Sequence, residues 1–253
     1  MKHDLRLLTC LDAAASTIGM SEGVAYSERD GIAEIALDDG KVNAMSMAFF
    51  DGLNAALDRA EQGDASAVVV SGRPGYFSAG LNIKLLPTLP PDEVNRTLVV
   101  FGRTLLRVWT FPRPTIAAVT GHAVAGGALL AFACDRRFVA DGPFRIQMNE
   151  VVIGLAVPSW AIAICQSVMP VRCHNEALLH ARAYTPAEAL AYGMIDGVTS
   201  DVGARARAAA GEIPAYDRQA YAETKRRLRS RAVAWAQQYL EAEMVAPGSA
   251  AGS

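Results

Sequence analysis

Twice in this chain a short run of small and β-branched apolar residues stops at a glycine-bearing turn and gives way to a helical pattern. The first run is AVVVS at Ala67–Ser71, followed by the turn RPGYFSAGLNIK at Arg73–Lys84 and a helical stretch at Pro91–Thr110. The second is TIAAV at Thr115–Val119, which passes through Gly121, Gly126 and Gly127 into helical Ala128–Cys134. Such runs lack polar alternation, so they read as strands covered on both faces. That burial is typical of parallel sheets with helical crossovers. The pattern predicts an α/β architecture and sets it against all-helical and sandwich folds.

The flanking segments extend this reading. Residues 23–38 read as two short strands around a turn at Asp30-Gly31. Ser46 is a helix cap for Met47–Glu61, with Phe50, Leu53 and Leu57 on one face. Arg137–Ala140 is a further strand. After Pro158 the pattern becomes helical, at Trp160–Val168, His174–Leu179, Pro186–Tyr192, Val202–Ala210 and Ala220–Glu243. Thr185, Pro186 and Glu188 form a helix start.

Composition narrows the function classes. The 253 residues hold 51% apolar side chains, enough for a full core. The 24 Lys+Arg and 26 Asp+Glu nearly cancel, which disfavours binding to nucleic acid through phosphate neutralisation. Four cysteines without a C-x-x-C pair fit neither a disulfide scaffold nor a structural zinc site. A reducing, cytoplasmic setting is the expectation. Two stretches, Thr115–Cys134 and Val151–Val171, carry no charge over about the length of a membrane span. Glycines break the first and Pro158, Ser159, Gln166 and Pro170 the second, so both read as buried elements and no membrane partner is expected.

The chemistry concentrates in the two glycine turns. At each, a strand ends, small residues let the main chain approach a ligand, and a helix opens with free N–H groups. Two such turns can aim two amides at one oxygen, an oxyanion hole. Each turn taken singly is equally a tight connection that needs small residues.

The motifs KVNAMS (41–46), FSAGLNI (77–83), PRPTIAAVTGHAVAGGALLAFACD (112–135), MNEVVIGLAVPSW (148–160) and YTPAEALAYGMIDGV (184–198) occur in an order that resembles the crotonase, or enoyl-CoA hydratase/isomerase, superfamily. The resemblance runs from about Gly23 to the end. It implies a crotonase-like fold of repeated ββα units, with C-terminal helices driving assembly into a homotrimer or a dimer of trimers. By motif position it divides the chain into an N-terminal extension at 1–22, a β/α core at 23–198, a helical region at 199–244 and a flexible tail at 245–253. It implies an acyl-CoA thioester substrate and no separate cofactor or metal, coenzyme A being part of the substrate. The hole amides would be those of Leu81 and Gly126. Ala79, Gly80, Leu81, Asn82 and Ile83 would line the thioester channel, with Lys84 and Lys225 within reach of the CoA phosphates. Asn82 replaces the usual Asp, and Ala125 replaces the first Gly of a frequent triplet.

The resemblance also bears on the reaction. Hydratases of the family flank one water with two Glu side chains. The position of the first is Leu129 here; the second is present as Glu150. One carboxyl and an apolar partner resemble the Δ3,Δ2-enoyl-CoA isomerases of mitochondrial type, which share N-E-x-x-x-G-x-x-x-P-x-W. Glu150 would then move a proton from C2 to C4 while Leu129 excludes water. An apolar surround from Phe77, Leu129, Val152 and Trp160 would raise its pKa. A structural carboxylate, satisfying a helix end or pairing with Arg145, is the other reading of Glu150. Rival functions are hydration or other CoA-ester chemistry on the same scaffold, and acyl-CoA binding without turnover. Lys225 also reads as part of a solvated basic helix face. Cys173, His174 and His180 lack a partner for metal or nucleophilic chemistry and read as helix residues.

Overall fold

The computed structural model describes residues 18–21, 23–213 and 217–244, so the expectations for the first 17 residues and for the tail from 245 lie outside the described residues. Three antiparallel strands open the fold: β1 (Ile18–Ser21), β2 (Val24–Arg29) and β3 (Ile32–Leu37). The sheet therefore begins inside the segment expected as an extension. Next come β4 (Ala44–Met45), α1 (Met47–Gln62), β5 (Ala67–Ser71), β6 (Gly75–Ser78), β7 (Gly80–Leu81) and α2 (Pro91–Thr110). β8 (Thr115–Val119), β9 (Gly121–Val124), α3 (Gly126–Ala133), β10 (Arg136–Ala140) and β11 (Ile146–Gln147) follow. The chain closes with α4 (Ser159–Gln166), β12 (Ala183–Tyr184), α5 (Pro186–Ala191), β13 (Gly197–Thr199), α6 (Val202–Gly211) and α7 (Arg218–Glu243).

The strands form two layers. A seven-stranded sheet runs β1-β2-β3-β5-β8-β10-β13, parallel from β3 onward. A four-stranded sheet runs β12-β11-β9-β6, with β4 and β7 as a separate parallel pair. In the middle of the chain the layers alternate: β5, β8 and β10 of the large sheet are each followed by a short strand of the second layer, β6, β9 and β11, before the next α-helix. That is the ββα repeat the motifs imply.

The β5 run explains the large sheet. Val68 and Val70 face the core shared with α1 to α4, whereas Ala67 and Val69 face Val202, Ala206, Ala209 and Ala210 of α6. Both faces are dry, so alternation is absent from its sequence. The turn of chain at Asn175–Leu179 is π-helical, closed by the His180 N–H to the Asn175 carbonyl at 3.0 Å, where an ordinary helix was expected.

Two buried cations fix helices to this core. Arg113 donates to the carbonyls of Ala60, Glu61, Gly63 and Ala65, which closes the otherwise unsatisfied C-terminal end of α1. Asp135, just past α3, accepts from Lys225 at 2.7 Å, Arg229 at 2.8 Å and Tyr221 at 2.9 Å, all on α7. The Thr115 N–H donates to the same carboxyl at 2.8 Å. Burial pushes the Asp135 carboxyl upward, but the Lys225 and Arg229 charges and these hydrogen bonds hold it below the usual carboxylate range.

Candidate active site

Three parallel neighbours, β6, β9 and β11, deliver their C-terminal ends to one edge of the second layer. Gln147 lies opposite Val124, so the chain leaves β11 toward Glu150 beside the point where β9 turns into α3. β6 leaves the same edge toward Gly80. The carboxyl ends of parallel strands are where α/β folds place their ligands.

On the first side, residues 78–82 are fastened to residues 42–45. The Asn43 side chain, buried at a φ of +53°, donates to the carbonyls of Leu37 at 2.8 Å and Phe77 at 3.1 Å. The Ser78 hydroxyl donates to the Asn43 carbonyl at 2.6 Å and accepts the Gly80 N–H at 3.1 Å. Ala79 N–H reaches the Val42 carbonyl at 3.0 Å, and Asn82 N–H reaches that of Met45 at 2.9 Å. Leu81 lies opposite Met45 in the β4–β7 register. Asn82 Oδ1 accepts the Leu85 N–H at 3.2 Å, so this side chain closes its own turn. Ile83 and Lys84 stand exposed beyond it.

On the second side, Ala125 adopts φ 50° and ψ −120°, a conformation L-residues rarely take. Its N–H is held by the Gln147 carbonyl at 2.7 Å, and its carbonyl accepts the Leu129 N–H at 3.0 Å. The dihedral turns the chain at once from β9 into α3. Gly126 is the first residue of that helix, and its N–H therefore has no acceptor within it. The two sides touch: a β-carbon built on Gly80, which has a φ of +81°, would stand 2.8 Å from the Gly126 nitrogen.

Glu150 opens a short 3-10 turn, Glu150–Ile153. Its Oε2 is buried without a hydrogen-bond partner, and no ion pair to Arg145 forms among the described residues. Burial raises its pKa, opposed by the main-chain N–H groups of Glu150 and Asn149. Its charge in turn helps keep the buried Cys165 thiol protonated. Leu129, one turn along α3, is 1% exposed, and Phe77 and Trp160 are buried in the same core. Val152 is a correction: it is 71% exposed, because the 3-10 turn carries it outward, and it contributes no apolar cover to Glu150 within this chain.

Lys225 is a second correction. It is 5% exposed and its ammonium group is spent on Asp135 and the Arg113 carbonyl, so it offers no free charge to a phosphate. It belongs to neither a solvated basic face nor the site. Asn43 and Met45 were not singled out from the sequence, and Ser78 only as a small residue of the turn, although all three fasten the loop. Their signal was the short polar insertion in KVNAMS and the Ser before Ala79-Gly80. The assembled edge brings main-chain N–H groups from two turns to the side of the fold that carries Glu150, whose Oε2 is buried without a hydrogen-bond partner. Such a set can hold charge on a carbonyl oxygen while the carboxyl moves a proton.

Comparison with known proteins agrees with the fold. The family described as Enoyl-CoA hydratase/isomerase matches residues 27–247. The human protein named enoyl-CoA delta isomerase 1, mitochondrial, is 29% identical over 174 residues, which span 68% of this chain and 58% of that protein. A putative enoyl-CoA hydratase of Thermus thermophilus is 35% identical over 176 residues, 68% of this chain and 69% of the relative. The solved apo structure of a Mycobacterium tuberculosis enoyl-CoA isomerase superposes with a TM-score of 0.82 at 34% identity, covering 88% of this chain and 99% of that one.

Proposed function

As the chain belongs to the enoyl-CoA hydratase/isomerase family, we propose that it converts 3-enoyl-CoA to trans-2-enoyl-CoA with Glu150 as its only acid/base. The observation that carries this reading is the Glu150 carboxyl, whose Oε2 is buried without a hydrogen-bond partner, with buried Leu129 at the place where a hydration mechanism needs a second carboxyl.

In this reaction the ionised Glu150 takes a proton from C2. Electrons from that C–H bond move into a dienolate whose charge rests on the thioester oxygen, held by the Leu81 and Gly126 N–H groups. The carboxylic acid so formed returns the proton to C4, and the double bond shifts to C2–C3 with no net gain or loss of atoms. A raised pKa suits a group that must both take and give the proton. The reaction so written needs no group beyond the coenzyme A of the substrate. Assembly as a trimer, or a dimer of trimers, belongs to the same proposal. Among the described residues no helix is long and apolar enough to cross a membrane.

The test is incubation of the pure protein with cis- and trans-3-enoyl-CoAs of several chain lengths, following conjugated enone absorbance. Rapid growth of that band, lost in Glu150→Gln, supports the reading. Formation of 3-hydroxyacyl-CoA from 2-enoyl-CoA as the faster reaction would replace it with hydration. Tight acyl-CoA binding without turnover of any thioester would leave a binding protein.

A further inference from the structure

The two donors of an oxyanion hole must converge on one oxygen to within a few tenths of an ångström, and here they come from separate turns of the chain. Met45 contacts both. Its main chain is paired with Leu81 across β4 and β7, and its carbonyl holds the next amide, Asn82, at 2.9 Å. Its side chain runs to the other turn: a β-carbon built on Gly126 would stand 3.1 Å from the Met45 sulfur. The other two nearest atoms to that point are a Phe101 ring carbon at 3.0 Å and the Gly80 Cα at 3.2 Å. Phe101 is itself held, stacked on Phe50 at 5.6 Å between ring centres and edge-on to Trp160 at 4.9 Å. Met45 is 1% exposed, so neither of its ends is free to move.

We propose that Met45 is a positioning residue, a strut whose backbone fixes the Leu81 side of the hole and whose thioether fixes the Gly126 side. This inference rests on the enolate-holding hole described above and names a residue that sets its width. An unbranched thioether spans the gap without a polar atom that would compete for the oxyanion. Truncation to alanine leaves the backbone pairing with Leu81 intact and removes only the atoms against Gly126. The direct Gly80–Gly126 main-chain contact then remains, but the side-chain brace between the two turns is lost.

A buried Met that merely fills the core would alter thermal stability and nothing else, so the decisive readout is polarisation of a bound carbonyl. The probe is 4-(dimethylamino)cinnamoyl-CoA, whose absorption moves to longer wavelength when its thioester oxygen accepts hydrogen bonds. Wild type should bind it with a clear red shift. Met45→Ala should bind it with a similar Kd and a smaller shift. Its kcat on a 3-enoyl-CoA should fall about 10- to 100-fold while KM stays within about twofold, the size expected from misplacing a reacting group by roughly an ångström. Met45→Leu, which restores most of the bulk, should recover most of both. If Met45→Ala fails to fold, Met45→Val carries the same expectation, since it too has no atom at the position of the sulfur. A full red shift and full kcat in the truncated variant would overturn the strut. A wild-type protein that binds the probe with no shift would instead overturn the hole itself.

Discussion

Gly80 and Gly126 meet main chain to main chain, with the place of a Gly80 side chain only 2.8 Å from the Gly126 nitrogen. Real β-carbons do not approach a backbone amide that closely, so Gly80→Ala must push the amide away. We expect a fall in kcat/KM of about 100-fold or more, the cost of losing one hole donor. Gly75→Ala is the matched control. It imposes comparable backbone strain at a φ of +87°, but its β-carbon meets nothing within 4 Å, and activity should be kept. Steady-state kinetics on a 3-enoyl-CoA distinguish the two.

Glu150→Gln should lower isomerase kcat by about 10²–10⁴-fold, the usual contribution of a positioned acid/base. In the wild type, kcat/KM should rise with pH along a limb centred above the ordinary 4.5 of a glutamate, because burial raises this carboxyl and its ionised form is the base. The same shift has a stability consequence. The folded chain holds this proton more tightly than the unfolded one, so its stabilising effect is complete below the unfolded pKa and disappears as pH rises through the folded value. Glu150→Gln should therefore unfold at a higher temperature than wild type near neutral pH, with the gap closing in acid.

On the proposed reading, buried Leu129 fills the space that a water-activating carboxyl would need. Leu129→Ala should cost about 2–5 kcal/mol of stability, as for other fully buried leucines. The enlarged, less dry site should also release some 3-hydroxyacyl-CoA from the conjugated product. Chromatography of the reaction mixture reads the product ratio, and denaturant unfolding reads the stability.

Lys225→Met should destabilise the fold but leave KM for acyl-CoA unchanged, since its charge is used by Asp135 at 2.7 Å. Asp135→Asn, which leaves two cations without their anion, should cost about 3–5 kcal/mol. The depressed Asp135 pKa gives stability that is present above the ordinary 3.8 and lost as pH falls through the folded value. Lys84→Ala should behave oppositely to Lys225→Met. Thermal unfolding should not change, while KM for the CoA ester rises several-fold and becomes less sensitive to salt.

What the sequence revealed follows from how each element is specified. β5 and β8 declare themselves because burial on both faces demands a pure apolar run, and α2 because Pro91 opens it and its apolar face is regular. The short strands β4, β6, β7 and β9 were not expected as strands: two to four residues with glycines carry no period, and their conformation is set by the partners they pair with. In the site, Glu150 and the two glycine turns stood out because their motifs are contiguous. Met45 and the burial of Lys225 did not, since each depends on a segment distant in the chain: the α3 entrance for one, Asp135 for the other.

Ala125 holds a dihedral pair that belongs to glycine, and it does so one residue before the amide it aims. The methyl group works against the bend that the site needs, at roughly 1–3 kcal/mol for a non-glycine residue so placed. Restoring glycine there would release that tension without touching a reacting atom, so the simplest thermostable version of this protein is one methyl lighter at the mouth of its third helix.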